Sequence, residues 1–344
     1  MFESNGRTEL SELGEFGLIK HLAKSVKTHQ SSTVKGIGDD AAVIDNGSNF
    51  KLISTDMLIE GSHFDLTYTP LKHLGYKAVV SNISDIVAMN GKATQLVVSL
   101  GLSNRFSLEA IEELYVGMLA ACNLYKVDLV GGDTCSSSKG LILNIAIYGE
   151  VEKDKITYRS TCKEGDLLVV TGDLGAAYLG LHILEREKRI FIEKPDFQPD
   201  LEGNDYIIQR QLKPEARVDI LELLNGLKIV PTSMIDVSDG LSSELHHLAE
   251  QSGVGFTVYE DKLPIDPIAY QRAIDLGIDP TVAMLNGGED YELLFTISPS
   301  DYETIKKELD ISIIGHAVAA GEGLHLISKS NNKHKLTAQG WKSV

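Results

Sequence analysis

The chain has 344 residues, of which 49 are acidic and 32 are basic, giving a formal net charge of −17. This charge argues against binding to nucleic acid or to an anionic membrane through overall electrostatics. With 43% hydrophobic and 24% charged residues, the composition is that of a folded globular protein, and the length predicts two domains. No stretch approaches the roughly 18 apolar residues that a membrane-spanning helix needs.

The cysteines and the first residues predict a cytoplasmic protein. Cys122, Cys135 and Cys162 are widely spaced and contain no Cys-x-x-Cys pair, so we expect neither a disulfide framework nor a thiolate zinc site. The segment MFESNGRTEL carries an acid at Glu3 and has no apolar stretch. We therefore expect no secretory signal there.

The first part of the chain shows both strand and helix patterns. Three β-rich runs predict strands, at residues 50–56, 95–102 and 141–149. A helix is predicted from about Leu71 to Met89, because the following Asn90-Gly91 pair is a suitable C-terminal cap. A second helix is predicted after Ser107, a candidate N-cap, because apolar residues recur beyond it at helical spacing.

The charged stretch 151–155 lacks a periodic pattern and predicts a domain boundary. Beyond it, five further runs predict strands, at residues 166–171, 229–239, 255–259, 293–297 and 311–314. A helix of small residues is predicted after Gly175, and another from about Leu241 to Ser252.

Residues 186–215 are polar and are interrupted by Pro195, Pro199 and Pro214. We interpret them as an excursion outside the hydrophobic core. Elsewhere, strand and helix patterns alternate loosely. The sequence therefore predicts an α/β protein with α+β character, in which two domains, 1–150 and 151–344, each contain a mixed sheet layered with helices, rather than one doubly wound sheet.

Aspartates recur beside glycines and serines at the ends of predicted strands. Four such groups are GIGDDAAV (36–43), STD (54–56), GGDT (131–134) and DVSDG (236–240), and Asp85 on the first predicted helix adds a fifth. If these carboxylates converge, a pair at ~4 Å repels by about 4 kcal/mol at the effective dielectric of a protein surface, so the group needs cations. Oxygen ligands without cysteine or paired histidine suit Mg²⁺ rather than zinc.

Each aspartate taken alone is more often a turn former or a cap. Five groups in one chain favour a metal site, and Mg²⁺ usually binds one or two carboxylates together with substrate phosphates. The pattern therefore indicates an enzyme that uses ATP or another polyphosphate, and Lys77 can complement the phosphates or balance the acids. The chain lacks GxxxxGK[ST], which excludes a P-loop, and its loose GxGxxA match at 36–41 leads into a β-rich stretch where dinucleotide binding needs a helix.

Seven motifs carry a more specific signal. They are GIGDDAAV (36–43), STDMLIEGSHF (54–64), GYKAVVSNISDIVAM (75–89), LVGGDT (129–134), YRSTCKEGDLLVVTG (158–172), IDVSDGL (235–241) and NGGEDYELLF (286–295). Together they resemble the thiamine-monophosphate kinase family, within the superfamily of aminoimidazole-ribonucleotide synthetase and selenophosphate synthetase. The EGxHF, DVSDGL and GGEDYEL patterns are more specific to the kinase family than the others. The resemblance extends from about residue 8 to 341 and leaves 186–215 unmatched.

The resemblance implies phosphorylation of thiamine monophosphate by ATP, giving thiamine diphosphate and ADP. It implies an N-terminal domain that binds metal and ATP and pairs its sheet across a homodimer, and a C-terminal domain that completes the nucleotide and substrate cleft. Several Mg²⁺ ions would be held by Asp39, Ser54, Thr55, Asp56, Asp85, Asp133, Asp236 and Asp239. ATP would contact Tyr115, Gly132, Asp133, Arg159 and Ser238. Thiamine monophosphate would contact His63, Glu289 and Trp341.

The chain departs from the family pattern at two places. The family usually has a glycine directly after Ala-Met and a proline further on, whereas this chain has Asn-Gly-Lys-Ala at 90–93. The C-terminal GWKSV (340–344) keeps an aromatic residue at Trp341 but lacks the His and Phe residues often found after it.

Several of these residues have simpler interpretations when taken alone. Tyr115 lies on an apolar helix face, where an aromatic side chain is more often part of the core. His63 is more often structural, Glu289 can belong to a turn before a strand, and Arg159 can lie in a surface loop or clamp phosphate oxygens. Trp341 can stack on a flat ligand or cover the end of a strand.

The implied acceptor is a phosphate monoester that is already deprotonated near neutral pH, so no strong general base is needed. Positioning and charge neutralisation supply most of the catalysis of phosphoryl transfer, and we expect direct in-line transfer without a phosphoenzyme. Two alternatives stay open at this point. One is another ATP-using enzyme of the superfamily, such as an aminoimidazole-ribonucleotide synthetase, and the other is a non-catalytic protein that binds Mg²⁺ and nucleotide.

Overall fold

The structure is a computed structural model, and it describes residues 10–196 and 198–337. The helices are α1 Leu10–Ala23, α2 Leu71–Ala88, α3 Leu108–Tyr125, α4 Ala176–Glu193, α5 Asp205–Leu212, α6 Val218–Leu227, α7 Leu241–Ser252, α8 Pro267–Asp275, α9 Pro280–Asn286 and α10 Tyr302–Ile305. The strands are β1 Thr33–Lys35, β2 Ala42–Asp45, β3 Phe50–Ile59, β4 Lys92–Leu102, β5 Asp128–Ser136, β6 Ile142–Val151, β7 Leu167–Thr171, β8 Ser233–Asp236, β9 Val254–Tyr259, β10 Leu293–Ile297, β11 Ile311–Ala319, β12 Leu324–Ile327 and β13 Lys333–Lys335.

Strands β1 to β6 form the first sheet, in the order β1-β2-β3-β6-β4-β5. Neighbouring strands are antiparallel except β4 and β5, which run parallel and are connected through α3. Side chains on one face of the central strands are fully buried, among them Leu52, Leu96 and Ile147. This burial explains the β-rich runs from which β3, β4 and β6 were predicted.

Helices α2 and α3 pack together so closely that glycine is required at the contact. A Cβ atom on Gly75 would lie 2.1 Å from the carbonyl oxygen of Leu114, and one on Gly117 would lie 1.8 Å from that of Lys72. Fourteen of the residues of α2 are buried, because the helix lies between the first sheet, α3 and the second half of the chain. This burial fixes the positions of the buried polar side chains of α2, which are Lys77, Ser81, Asn82 and Ser84.

Strands β7 to β13 form the second sheet, in the order β13-β12-β9-β11-β7-β10-β8. All neighbours are antiparallel except β9 and β12, so this sheet is also mixed. Helix α7 packs against β8 and β9, and it begins at Leu241 and ends at Ser252 as predicted. The prediction of two mixed sheets, each layered with helices, is confirmed.

Strand β8 lies at the edge of the second sheet and packs against α2. One hydrophobic cluster spans this junction and includes Ile83 of α2, Met234 of β8 and Phe295 of β10. At the same place the hydroxyl of Ser84 donates a hydrogen bond to Asp236 Oδ2 at 2.7 Å. The C-terminal end of β8 therefore lies directly beside α2.

The interpretation of residues 186–215 as an excursion is wrong for two helical parts. Helix α4 continues to Glu193, and α5 packs against α4 with the Ile207 side chain fully buried. The two helices touch closely, since a Cβ atom on Gly180 would lie 2.1 Å from the carbonyl oxygen of Ile207. An eight-residue helix between prolines gives too short an apolar pattern to be recognised in the sequence.

Strand boundaries also differ from those predicted. The run 229–239 contains a strand only at Ser233–Asp236, because Pro231 precedes it and the residues from Val237 to Gly240 form a turn. Among the described residues, none of the helices combines the length and the apolar character needed to cross a bilayer.

The face of the first sheet that points away from α2 carries exposed apolar side chains. Met57 on β3 is 52% exposed, and Tyr148 on the neighbouring β6 is 38% exposed. Val130, on the edge strand β5, is 59% exposed. A sheet face of this kind is suited to burial against another surface.

Candidate active site

Three aspartates from three elements meet where the two sheets join. Asp40 lies in the loop between β1 and β2, Asp85 lies near the C-terminal end of α2, and Asp236 is the last residue of β8. One carboxylate oxygen of each lies within 4.8 Å of the other two. We call these three residues the acid cluster. Asp40 and Asp236 are buried, and Asp85 is partly exposed.

Two serine hydroxyls orient the carboxylates of the acid cluster. Ser54 Oγ donates to Asp85 Oδ2 at 2.5 Å, and Ser84 Oγ donates to Asp236 Oδ2 at 2.7 Å. The first hydrogen bond joins β3 to α2, and the second joins α2 to β8. The serines lie beside these acids because α2 packs against both β3 and the edge strand β8.

Burial and repulsion raise the pKa of two of these aspartates, Asp85 and Asp236. Burial, followed by the charge of Asp40, raises the pKa of Asp236 to about 7. The pKa of Asp85 is raised well above its ordinary value, first by burial and then by Asp56, Asp236 and Asp40. The carboxylates therefore need an additional cation to be ionised together at neutral pH.

The neighbouring strand β3 supplies further oxygen ligands on one face only. Asp56 lies two residues after Ser54, so both side chains point toward α2, and the Asp56 backbone N–H donates to Asn82 Oδ1 at 3.2 Å. Burial raises the pKa of Asp56. Thr55 lies on the opposite face, where its hydroxyl donates to the carbonyl oxygen of Ile145 at 2.9 Å. The structure therefore brings Ser54 and Asp56 to the acid cluster and leaves the Thr55 side chain outside it.

The donor set fits Mg²⁺. Carboxylates from three elements, together with a serine hydroxyl, form a group of hard oxygen ligands, and the pKa values of Asp85 and Asp236 are raised. Such a group is stabilised by a divalent cation, which relieves both the repulsion and the cost of burial.

Arg159, in the segment between the two sheets, contacts the acid cluster from the side. Its Nε donates to Asp40 Oδ2 at 3.0 Å, and its Nη2 also contacts Asp40. Its backbone N–H donates to Asp39 Oδ1 at 3.2 Å, and Lys35 Nζ lies 3.3 Å from Asp39 Oδ2. Burial, followed by Asp40, raises the pKa of Asp39 to about 6.

Asp39 was the predicted metal ligand of this loop, but Asp40 is the aspartate that joins the acid cluster. Sequence reasoning missed Asp40 as a site residue. The adjacent acids Asp39 and Asp40 indicate a candidate metal ligand in this loop. Which of the two side chains points toward α2 depends on the path of the loop, which the sequence does not show.

The turn after β8 carries two predicted site residues. Burial raises the pKa of Asp239 to about 6, and its backbone N–H donates to Glu244 Oε1 at 2.9 Å. The carbonyl oxygen of Ser238 accepts a hydrogen bond from the backbone N–H of Glu289 at 2.7 Å. This turn therefore joins the end of β8 to the loop that contains Glu289.

The predicted nucleotide residues of β5 and α3 lie apart from the acid cluster. Asp133 and Gly132 are on β5, and β6 and β4 separate that strand from β3, which carries Asp56. Three strand spacings amount to roughly 14 Å. Asp133 is exposed, and Tyr115 on α3 packs partly against the core. Pairing of β5 with β4 itself requires Gly132, because a Cβ atom there would lie 1.9 Å from the carbonyl oxygen of Val98.

Two of the three predicted substrate residues lie in the described part of the chain, and Trp341 lies outside it. His63 is exposed, and its Nδ1 accepts a hydrogen bond from the backbone N–H of Ile59 at 3.1 Å. The neutral ring therefore carries its proton on Nε2, which is a donor suited to a phosphate oxygen.

Glu289 is held by two side chains, of which Lys77 belongs to the motif at 75–89 and Gln211 belongs to none of the seven motifs. Lys77 Nζ lies 2.8 Å from Glu289 Oε1, and Gln211 Nε2 donates to Glu289 Oε2 at 2.7 Å. Gln211 belongs to α5, which the sequence analysis placed outside the core, so no signal in the sequence connected it to the site.

Tyr291 follows in the same loop and lies among the acids. It is buried, and burial followed by the charges of Glu289 and Asp56 raises its pKa well above its ordinary value. Its hydroxyl therefore stays protonated at neutral pH and is available as a hydrogen-bond donor.

Comparison with known proteins supports this assembly of fold and site. The family model for the AIR synthase related protein, N-terminal domain, matches residues 38–151, and that for the C-terminal domain matches residues 163–327. These matches and the buried acid cluster at the junction of the two sheets define a chain of the AIR synthase related class.

Individual relatives give a narrower assignment. The chain is 35% identical over 333 residues to the thiamine-monophosphate kinase of Aquifex aeolicus (strain VF5), covering 97% of this chain and 99% of the relative. It is 36% identical over 310 residues to that of Bacillus subtilis (strain 168), covering 88% and 91%. A solved structure described as AaThiL complexed with AMPPCP and TMP matches with a TM-score of 0.83 and 33% identity, over 98% and 99% of the two chains. The chain belongs to the thiamine-monophosphate kinase family.

Proposed function

We propose that this enzyme transfers the γ-phosphoryl group of ATP to the phosphate of thiamine monophosphate by direct in-line transfer, giving thiamine diphosphate and ADP. Membership of the kinase family supports ATP as co-substrate and thiamine monophosphate as acceptor. The observation that carries the proposal is the acid cluster, in which three carboxylates converge within 4.8 Å and burial and repulsion raise the pKa of Asp85 and Asp236, an arrangement that favours a bound cation.

The residues of the acid cluster would hold Mg²⁺, together with Asp56, Ser54 and Asp239. When bound, Mg²⁺ neutralises phosphate charge and so permits two polyanions to approach each other. Arg159 contributes a guanidinium that can rearrange from Asp40 to a phosphate oxygen. Residues 1–150 supply most of the metal ligands and the dimer surface, and residues 151–344 complete the cleft.

On the acceptor side, no residue needs to remove a proton, since the attacking phosphate oxygen is already ionised near neutral pH. His63 donates its Nε2–H to an anionic oxygen. The hydroxyl of Tyr291 offers a second hydrogen-bond donor, near Glu289 and the acid cluster. These groups orient the acceptor, and orientation is the main contribution a protein makes to phosphoryl transfer.

A homodimer explains why Asp133 and Tyr115 lie far from the acid cluster of their own chain. The exposed apolar face around Met57 and Tyr148 is suited to pairing of two first sheets. In such a dimer, Asp133 of the partner subunit would complete the nucleotide site. This arrangement requires no change within either chain.

Complementation tests the dimer. Asp85→Asn and Asp133→Asn chains, each inactive alone, are mixed, unfolded in urea and refolded together. If sites are shared, each mixed dimer contains one intact site. Since random association makes about half of the dimers mixed, the refolded mixture regains about a quarter of the wild-type activity. Absence of recovery, with dimers present by analytical ultracentrifugation, would contradict sharing.

The activity is tested by measuring ADP release with thiamine monophosphate and with free thiamine, each with and without Mg²⁺. We expect ADP only with thiamine monophosphate and Mg²⁺, and thiamine diphosphate in equal amount. Preference for another acceptor in a panel would favour a different ATP-using enzyme of the superfamily, and tight ATP binding without ADP would favour a non-catalytic protein. A phosphorylated side chain after incubation with labelled ATP alone would contradict direct transfer.

We also infer that the enzyme acts in the cytoplasm. The three cysteines of the chain are free, and two of them are buried, which suits a reducing compartment.

A further inference from the structure

Gln211, Lys77 and Glu289 form a closed set from three elements. Besides the two contacts to Glu289, Lys77 Nζ donates to the backbone carbonyl oxygen of Gln211 at 2.9 Å. Each member therefore contacts both of the others. The set joins α5, α2 and the loop before β10. It therefore depends on α5, which lies in the segment predicted to be an excursion outside the core.

The three residues differ in exposure. Gln211 is 5% exposed and Lys77 is 7% exposed, whereas the side chain of Glu289 is 31% exposed. Lys77 and Gln211 thus lie beneath the Glu289 carboxylate, which is the part of the set that a ligand can reach. A buried pair of donors under an accessible acceptor is the arrangement of a positioned binding group.

The backbone of the loop holds Glu289 in the same place. Its φ of +64° is in the left-handed region, which costs a residue other than glycine about 1–2 kcal/mol. Its backbone N–H donates to Ser238, which fixes the loop against the turn after β8. A strained residue that is held by both its backbone and its side chain is a feature of functional sites.

Lys77 determines what Glu289 can recognise. Because the ammonium group lies 2.8 Å from the carboxylate, the pair has no net charge, so it attracts a cationic ligand weakly. The carboxylate oxygens nevertheless keep lone pairs for further hydrogen bonds. The accessible Glu289 carboxylate therefore suits a ligand that brings N–H donors.

We propose that Gln211 and Lys77 are positioning residues that hold Glu289 as a hydrogen-bond acceptor for the amino group on the pyrimidine ring of the substrate. This inference rests on the proposed function and names the part of thiamine monophosphate that Glu289 recognises. The positive charge of the thiazolium ring is then recognised elsewhere.

The first test removes the donor under Glu289. We expect Gln211→Ala to raise KM for thiamine monophosphate about tenfold, the effect of losing one hydrogen bond to a charged group, with kcat changed by less than about twofold. KM for ATP and the melting temperature stay unchanged. Gln209→Ala, an exposed position on the same helix, is the matched control and leaves all four quantities unchanged.

The second test uses an acceptor in which a carbonyl oxygen replaces the pyrimidine amino group. The wild type should prefer thiamine monophosphate over this analogue by about a hundredfold in kcat/KM, because two acceptors would then face each other. Glu289→Gln, whose amide can donate, should reduce the preference to below about tenfold. Lys77→Arg should keep it, and Lys77→Met should raise KM for both acceptors.

The outcomes separate this inference from the proposed function. A wild type that releases no ADP with thiamine monophosphate overturns the proposed function. An active wild type that accepts the two acceptors equally overturns the inference alone. An unchanged KM in Gln211→Ala, or a loss of kcat in proportion to a loss of melting temperature, also overturns it, the latter by showing that Gln211 is merely structural.

Discussion

Two regions of the described chain with buried carboxylates differ in how many positively charged side chains lie beside the acids. In the acid cluster, two of the three aspartates accept hydrogen bonds from serine hydroxyls, and repulsion adds to burial in raising their pKa. In the second region, which we call the arginine network, Arg210 and Arg217 both form ion pairs with Glu292, and Thr171 donates to it at 2.6 Å. Buried acids alone therefore do not mark a metal site, whereas buried acids without enough protein cations do.

The arginine network has a structural task beside the site. Arg210 donates to the backbone carbonyl oxygens of Asp173 and Asp290, each at 3.2 Å. The loop it secures contains both Glu289 and Tyr291, whose φ values of 64° and 52° are left-handed. The fixed charges of this region thus hold a strained loop, whereas the acid cluster has fewer protein cations and is the place where we propose that Mg²⁺ binds.

The largest effect is expected from Asp85→Asn. We expect kcat/KM for thiamine monophosphate to fall about a thousandfold, because a metal ligand that supports phosphoryl transfer is lost. Without metal, the melting temperature should stay the same or rise, because the substitution removes a buried carboxyl group that must take up a proton when the chain folds at neutral pH. Steady-state kinetics and thermal unfolding measure the two effects.

Asp128→Asn is the control for this prediction, since Asp128 is exposed at the start of β5. It should leave both quantities at wild-type values. If Asp85→Asn lost melting temperature in proportion to activity, Asp85 would belong with the structural acids instead.

In contrast to Asp85→Asn, Arg217→Met should mainly lower the stability of the protein. Removal of one cation leaves Glu292 buried and undercompensated, and we expect the free energy of unfolding to fall by about 3 kcal/mol in urea. Arg189→Met, at an exposed position of α4, should change it by less than about 0.5 kcal/mol. Equal stability of the two variants would show that Arg210 alone satisfies Glu292.

The smallest effect concerns Asp290, the least compensated acid of the arginine network. Burial raises its pKa from 3.8 to about 7 in the folded protein. The proton is therefore bound more tightly when folded, a stabilisation that is full below pH 4 and is lost as the pH rises through about 7. Relative to Asp290→Asn, the wild type should lose about 2 kcal/mol of unfolding free energy between pH 5.5 and pH 8. A difference that is constant with pH would refute the assignment.

Much of the fold could be predicted from the sequence for the strands and helices that have many buried side chains. The central strands β3, β4 and β6 and the helix α7 have their apolar residues at regular spacing, because one side of each is packed, and α2 is marked by a long apolar run because it is buried nearly all round. The short helix α5 was missed, since its burial depends on close contact with α4 at Gly180, which is a tertiary feature.

The types of residue in the candidate site could be predicted from the sequence, but their arrangement in space could not. Asp85 and Asp236 were predicted and do meet, because α2 and β8 adjoin. The choice between Asp39 and Asp40 depends on the path of a loop, and the distance of Asp133 depends on the strand order, in which β5 is at the edge. Neither loop path nor strand order is encoded in local spacing.

Direct measurement of Mg²⁺ binding tests the central claim. Equilibrium dialysis with a non-hydrolysable ATP analogue is carried out on the wild type, Asp85→Asn and Asp290→Asn. We predict that the wild type and Asp290→Asn bind the same number of Mg²⁺ ions per chain, and that Asp85→Asn binds at least one fewer. Equal numbers and affinities in all three proteins would contradict the account, because the acid cluster would then not be the place where the metal binds.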